Sequence, residues 1–244
     1  MFKFAALLTT ALATPCAWAQ HEGFKGDVGG MVTSASAIVQ GASAKTSVLP
    51  YVYGDWGRFY GRVDTFGVRT LALGQGHLEL ATRISTEGID AHNTAHPGMG
   101  ERQTPTPVGL GTFQRTPLGG VFAYLMHDPQ SGGQFAELTW ALRFMLGAAS
   151  VYPHLGLQYR SAAYVNHLYG LNATQAAATG LAPYSAGASL LPQVSLHATV
   201  PLSGPWALQL QARHRWLDGA IAHSPLMDRA SQNSALVALT YSLP

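Results

Sequence analysis

The sequence predicts an all-β fold, a single up-and-down antiparallel transmembrane β-barrel of twelve strands, with ten as the alternative. Three observations lead there. Segments of about ten residues alternate apolar and polar side chains with a period of two, the spacing of a strand and not of a helix. Charged residues make up 11% of the 244-residue chain, less than half of the roughly 25% usual in soluble domains. After residue 20, no uninterrupted apolar run approaches the 18 or so residues that a spanning helix needs. In a bilayer every backbone polar group must be paired internally, so a membrane chain without spanning helices has only the closed barrel left.

The N-terminus gives the route. Met1-Phe2-Lys3 is a positive start, Phe4 to Ala13 is apolar and Ala17-Trp18-Ala19 is a small-x-small cleavage site. Residues 1–19 therefore read as a removed signal peptide, with the barrel occupying 20–244 of a chain exported to the outer membrane. Cys16 is the single cysteine and lies inside the signal, so the mature chain has no disulfide and no thiol chemistry. Proline at position 15 makes a poor lipoprotein signature. Without Lys3 the 14 basic residues become 13, against 12 acidic ones, a net charge of +1. That balance gives no support to nucleic-acid binding.

Along the mature chain, Val48 to Tyr53, Arg58 to Arg62 and Phe66 to Leu71 are three short strands or one long bulged one. With both chain ends in the periplasm the strand number is even, and the first choice gives twelve, the second ten. Leu78-Leu80-Thr82-Ile84 alternates with Glu79, Ala81 and Arg83. A polar link from Thr86 to Pro105 precedes a hairpin, Val108 to Gln114 and Gly120 to His127, turned at Arg115 to Leu118. Ala136, Leu138, Trp140, Leu142 and Phe144 alternate with Glu137, Thr139 and Arg143. Val151, Pro153, Leu155, Leu157 and Tyr159 then alternate with His154, Gln158 and Arg160.

The link 161–183 contains the alanine-rich Asn172 to Ala182, suited to a helical turn. Val194, Leu196, Ala198 and Val200 face away from Gln193, Ser195, His197 and Thr199, and Leu202 to Pro205 is a tight turn. The segment Pro205 to Leu217 shows the pattern most clearly, with Trp206, Leu208, Leu210, Ala212, His214 and Trp216 on one face and Ala207, Gln209, Gln211, Arg213 and Arg215 on the other. The last strand sets Ala235, Val237, Leu239, Tyr241 and Leu243 against Ser234, Thr240 and Ser242. Short turns on one edge and long links (86–105, 161–183, 218–232) on the other are how outer-membrane barrels are built.

This phasing puts outer-membrane lipid against the apolar faces, with Trp206, Trp216, Trp140 and Tyr241 as an aromatic girdle. It puts Glu79, Arg83, Glu137, Arg143, His154, Arg160, His197, Arg213 and Arg215 into the lumen. In so narrow a barrel, mutual neutralisation is the expected role, with Arg213 and Arg215 meeting Glu79 or Glu137; a selective pore is the alternative. His92, His96, Asp90 and Glu101 share a loop and compose a conceivable divalent-metal cluster, but the glycines and proline among them favour a plain loop. His223-Ser224 with Asp228 suggests an outer-membrane hydrolase, but no glycine-flanked serine elbow surrounds the serine. No catalytic residues, metal ligands or cofactor are therefore assigned.

The run Leu155-Gly156-Leu157-Gln158-Tyr159 leads to Tyr164–Gly170 (YVNHLYG), then to Gln175-Ala176 and Gly180-Leu181-Ala182-Pro183-Tyr184. Trp206 and His223-Ser224-Pro225-Leu226 follow. This order resembles the MipA/OmpV family of outer-membrane proteins, as does Val48 to Tyr53 followed by Arg58-Phe59-Tyr60. The likeness covers most of the mature chain and is densest from about 150 onward. The chain departs from the family in ending on Leu243-Pro244 instead of an aromatic residue, and in carrying His223 where an acidic residue often precedes Ser-Pro. The resemblance implies an outer-membrane barrel without known catalysis. It further implies a scaffold whose partners are a murein lytic transglycosylase and a murein synthase. Periplasmic turns such as Leu202 to Pro205, or the N-terminal Gln20 to Asp27, would carry such contacts.

Overall fold

A computed structural model describes residues 23–244. The signal peptide, its cleavage site, Gln20 and Cys16 lie outside the described residues. Thirteen strands form one antiparallel sheet: β1 Lys25–Ala35, β2 Lys45–Trp56, β3 Phe59–Arg62, β4 Thr65–Leu73, β5 Gly76–Arg83, β6 Val108–Thr116, β7 Gly119–Asp128, β8 Gly133–Leu142, β9 Phe144–Leu146, β10 Ala149–Arg160, β11 Ser189–Pro201, β12 Trp206–Trp216 and β13 Ser231–Leu243. The sheet closes on itself through β13 against β1 and β10 against β11. β9 continues the line of β8 past Arg143, and both pair with β10. The wall is thus a closed barrel of twelve staves with one short extra strand, which decides twelve over ten.

Three of those staves, β2, β3 and β4, are the short strands anticipated between residues 48 and 71. The stave that the alternation did not single out is β1. Its outward residues, Val28, Gly30, Val32 and Ser34, include a glycine and a serine, so it carries little apolar signal. Its place is set by its neighbours: it runs in register from Gly26 opposite Leu243 to Ala35 opposite Ser234, and against β2 from Lys25 opposite Asp55 to Ala35 opposite Lys45. Closure satisfies the backbone groups that an open edge would leave bare in hydrocarbon.

The connections at one edge are all short: 57–58, 74–75, 117–118, 147–148 and 202–205. Gly147 and Gly204, at φ of 60° and 58°, supply the left-handed residue in two of them. The opposite edge carries the long links 84–107, 161–188 and 217–230, but also the brief connections 63–64 and 129–132. Large apolar side chains stand outward and bare, among them Val48 at 78% exposure and Leu125 at 64%. Lipid is the solvent that such a wall suits.

The long links fold together into a cap over the mouth of the barrel. It holds helices α1 Ala162–Tyr169, α2 Ala173–Thr179 and α3 Gly219–Ala222, with single 3-10 turns at Ala91–Asn93 and Pro97–Met99. α2 is the helical turn anticipated in 172–182. Asn172 caps it, Gln175 completes the capping box and Gly180 ends it in the left-handed conformation at φ 71°. The apolar core lies mostly in this cap, where Val165, Leu168, Leu217 and Ile221 bury against Met126 and Phe135 at the barrel rim. A smaller cluster joins Ala91, Met99, Leu171 and Leu226 across three different links.

Candidate functional site: the charged lumen and its vestibule

Inside the barrel, period-two strands aim every second side chain at a confined space. Most of the charged ones meet as ion pairs. Arg62 on β3 grips Glu79 on β5 in a two-pronged contact, Nη2 to Oε1 at 2.8 Å and Nη1 to Oε2 at 2.9 Å. The same Nη1 donates to the Tyr124 hydroxyl at 2.9 Å, and the guanidinium carbon lies 4.2 Å from the centre of the Tyr60 ring. Arg83 meets Glu137 at 2.7 Å, while Gln158 Nε2 and Thr139 Oγ1 also donate to that carboxylate, at 2.7 Å and 3.2 Å. With Arg83 Nη2 donating to its other oxygen at 3.5 Å, four donors converge on this carboxylate, the condition under which burying a charge is tolerable.

A third cluster spans lumen and cap. Glu87, on the link after β5, lowers its Oε1 between Arg160 Nη2 at 2.8 Å and Arg215 Nη1 at 2.7 Å. Arg215 also donates to Gln232 at 2.5 Å and to Gln158 at 3.2 Å. Burial by itself would raise the Glu87 carboxyl, but the two guanidiniums outweigh it and hold the group well below the ordinary carboxylate range.

Several expectations are corrected here. Arg215 meets Glu87, not Glu79 or Glu137, because those two carboxylates are already taken by Arg62 and Arg83. Arg213 meets no carboxylate at ion-pair distance among the described residues. Arg143 is exposed at the short-turn edge, since it falls in the break between β8 and β9 where its amide bonds Leu118 instead of β10. His197 points inward and pairs with Gln209 Oε1 at 3.1 Å, and His154 lines the cavity beside it.

Two partners were not anticipated from the sequence. Arg62 sits on a four-residue strand, too short to set a phase; Glu87 sits in a loop, where no periodicity applies. The girdle residues stand on the outer wall: Trp206 meets Tyr241 edge-on with ring centres 5.2 Å apart, Trp140 is exposed on β8, and Trp216 packs on His214 at 4.5 Å at the other end of β12.

The loop candidates do not converge. His96 Nε2 is 2.9 Å from Gln40 Oε1, Asp90 caps the turn through the amide of His92, and Glu101 accepts from the Ala91 amide at 3.1 Å. Ser224 is buried, and its hydroxyl donates to the Tyr169 carbonyl at 2.7 Å. A hydroxyl committed in this way is a tie between two links, not an exposed nucleophile.

Two adjoining cavities follow from this packing. A vestibule of about 940 Å³ opens under the cap, lined by Lys45, Glu87, His92, Arg160, Arg213 and Arg215. A smaller chamber of about 170 Å³ lies deeper, between Tyr51, His154, Gln193, His197 and Arg213. Arg213, Gln211, Asp64 and Arg83 line both, so these residues form the floor of one space and the roof of the other.

Comparison with known proteins places the chain. The family described as "MipA: MltA-interacting protein MipA" matches residues 28–243. The putative outer membrane protein YiaT of Escherichia coli (strain K12) is 26% identical over 195 residues, 78% of this chain and 79% of that protein. The MltA-interacting protein of the same strain is 26% identical over 152 residues, 62% of this chain and 60% of its own length. The outer membrane protein OmpV of Vibrio cholerae serotype O1 is 27% identical over 161 residues, 64% and 62% of the two chains.

Proposed function

The chain belongs to the MipA family of outer-membrane proteins, and from that premise we propose that it is a non-enzymatic scaffold which presents its periplasmic edge to enzymes of murein metabolism. Outer-membrane barrels keep their short turns in the periplasm, which assigns that side to the edge bearing 57–58, 74–75, 117–118, 147–148 and 202–205. The observation that carries the proposal is the turn after β11: Pro201 to Trp206 are all exposed, a bare run of two prolines, a leucine and a tryptophan around Ser203 and Gly204. It is not isolated. The Ser242 amide bonds the Pro205 carbonyl, and the Ser242 hydroxyl meets Asp27 on β1, so the turn, the chain end and the start of β1 form one continuous rim.

Family resemblance supplies the partner class, a murein lytic transglycosylase and a murein synthase, and the relative named MltA-interacting protein supports the first of these. The signal peptide read over residues 1–19 would deliver the chain to that compartment. In a pull-down from solubilised envelope, the wild-type barrel is expected to recover murein enzymes, and replacing Leu202 to Pro205 with a glycine-serine turn is expected to lower that recovery. Undiminished recovery removes this turn from the reading.

A second reading, passage of small solutes, draws on the vestibule that reaches Arg213 and Arg215. Planar-bilayer recording tests it. Unitary currents that shrink when both arginines become glutamine support it, and silence from refolded wild-type protein removes it.

A further inference from the structure

The lumen carries one more guanidinium than its ion pairs engage. Five guanidiniums, those of Arg62, Arg83, Arg160, Arg213 and Arg215, line the two cavities, and the carboxylates among and against them are Glu79, Glu87, Glu137 and Asp64; the vestibule is also lined by Lys45, bonded to the Thr86 and Gly88 carbonyls, and by Asp90, which caps its own turn. Three of the four are spoken for: Glu79 by Arg62, Glu137 by Arg83, and Glu87 by Arg160 and Arg215 together. Asp64, in the β3–β4 connection, accepts the Thr65 hydroxyl at 2.9 Å. That leaves Arg213 facing the junction of vestibule and chamber with no protein acceptor within ion-pair or hydrogen-bond reach among the described residues.

Its surroundings are those of an anion receptor. Across the sheet Arg213 stands opposite Ser195 on β11 and Ser234 on β13, both small inward hydroxyls that leave the guanidinium uncovered. Gln193, Gln211 and His154 line the same chamber. A guanidinium set in a narrow lumen binds an oxyanion through paired N–H donors more strongly than it does in water, because the low dielectric strengthens the contact. The chamber, at about 170 Å³, has room for a small ion and a few waters.

We propose that Arg213, flanked by Ser195 and Ser234, anchors a binding site for a small oxyanion, a carboxylate or a phosphate, entering from the capped outer side. Glu87 holds Arg160 and Arg215 back from this site, so the entering ion meets one free guanidinium and not three competing ones.

Calorimetric titration of the refolded barrel in detergent, at constant ionic strength, tests the site with inorganic phosphate, acetate and chloride. Saturable binding of phosphate or of acetate, about tenfold or more tighter than chloride, is the expected result; which of the two binds tells phosphate from carboxylate. Arg213→Gln weakens it by about tenfold or more. Ser234→Asp, which places a carboxylate opposite the arginine, abolishes it while raising the unfolding midpoint. Heat-modifiable mobility on gels shows that each variant is folded. Absence of saturable uptake in the wild type, binding no tighter than chloride, or undiminished binding in folded Arg213→Gln or Ser234→Asp overturns the proposal.

Discussion

Glu87 is a loop residue that determines whether two arginines can stay inside the barrel. With Arg160 at 2.8 Å and Arg215 at 2.7 Å from one oxygen, Glu87→Gln leaves two guanidiniums without a counter-charge, and the expected cost is about 3 kcal/mol. Its acid dependence has a definite sign. The folded carboxyl lies below its unfolded value of about 4.3, so its contribution is fully present above that pH and is lost progressively as pH falls from there through the folded value. Urea unfolding from lipid vesicles at a series of pH values checks both points: the wild type weakens below that value, and the difference from Glu87→Gln narrows with it. Gly111 makes a steric point at the same scale. A Cβ there would lie 2.2 Å from the ring of Tyr124, whose hydroxyl receives Arg62. Gly111→Ala is expected to cost about 1–3 kcal/mol by the same measurement, because the ring, and with it the Arg62 pair, must shift.

At the scale of elements, the cap is where independent pieces depend on each other. Ser224, in the link before β13, donates to the carbonyl of Tyr169 at the end of α1. Ser224→Ala leaves that buried carbonyl without its donor. The expected outcome is a loss of about 1–2 kcal/mol, seen in unfolding, and faster proteolysis of the 161–188 link; a lipid or peptide hydrolysis panel is expected to show no activity in either protein. Staves with a full alternating stretch, such as β12 and β13, were legible with their facing residues. β1 was not, because Gly30 and Ser34 dilute its outer face. Neither was the pairing of the lumen charges: parity says that Arg83 and Glu137 both point inward, but it carries no information on which strands lie opposite. The α1 helix shows the same limit, since Tyr164, Val165 and Leu168 become a buried face only once the 217–230 link covers them.

For the whole molecule, the outward wall and the inward charges are two sides of one requirement, that each face match its solvent. Val237, near the middle of β13 and pointing outward, is 49% exposed. Val237→Arg is expected to cost about 2–4 kcal/mol in a bilayer, the depth-dependent penalty for a cation at the lipid midplane, and vesicle-based unfolding measures it. Alternation is a local property, written into adjacent residues by the geometry of the pleat. The chain alone therefore determined that this is an outer-membrane barrel, and which residues of its clearest staves, β12 and β13, point outward and which inward. The partner of each inward charge depends on shear, closure and the folding of the long links, all of which act between residues distant in the sequence. Only the tertiary structure could give Glu79 to Arg62, draw Glu87 down onto Arg160 and Arg215, and leave Arg213 facing an open cavity, because electrostatic pairing is settled by distance in space.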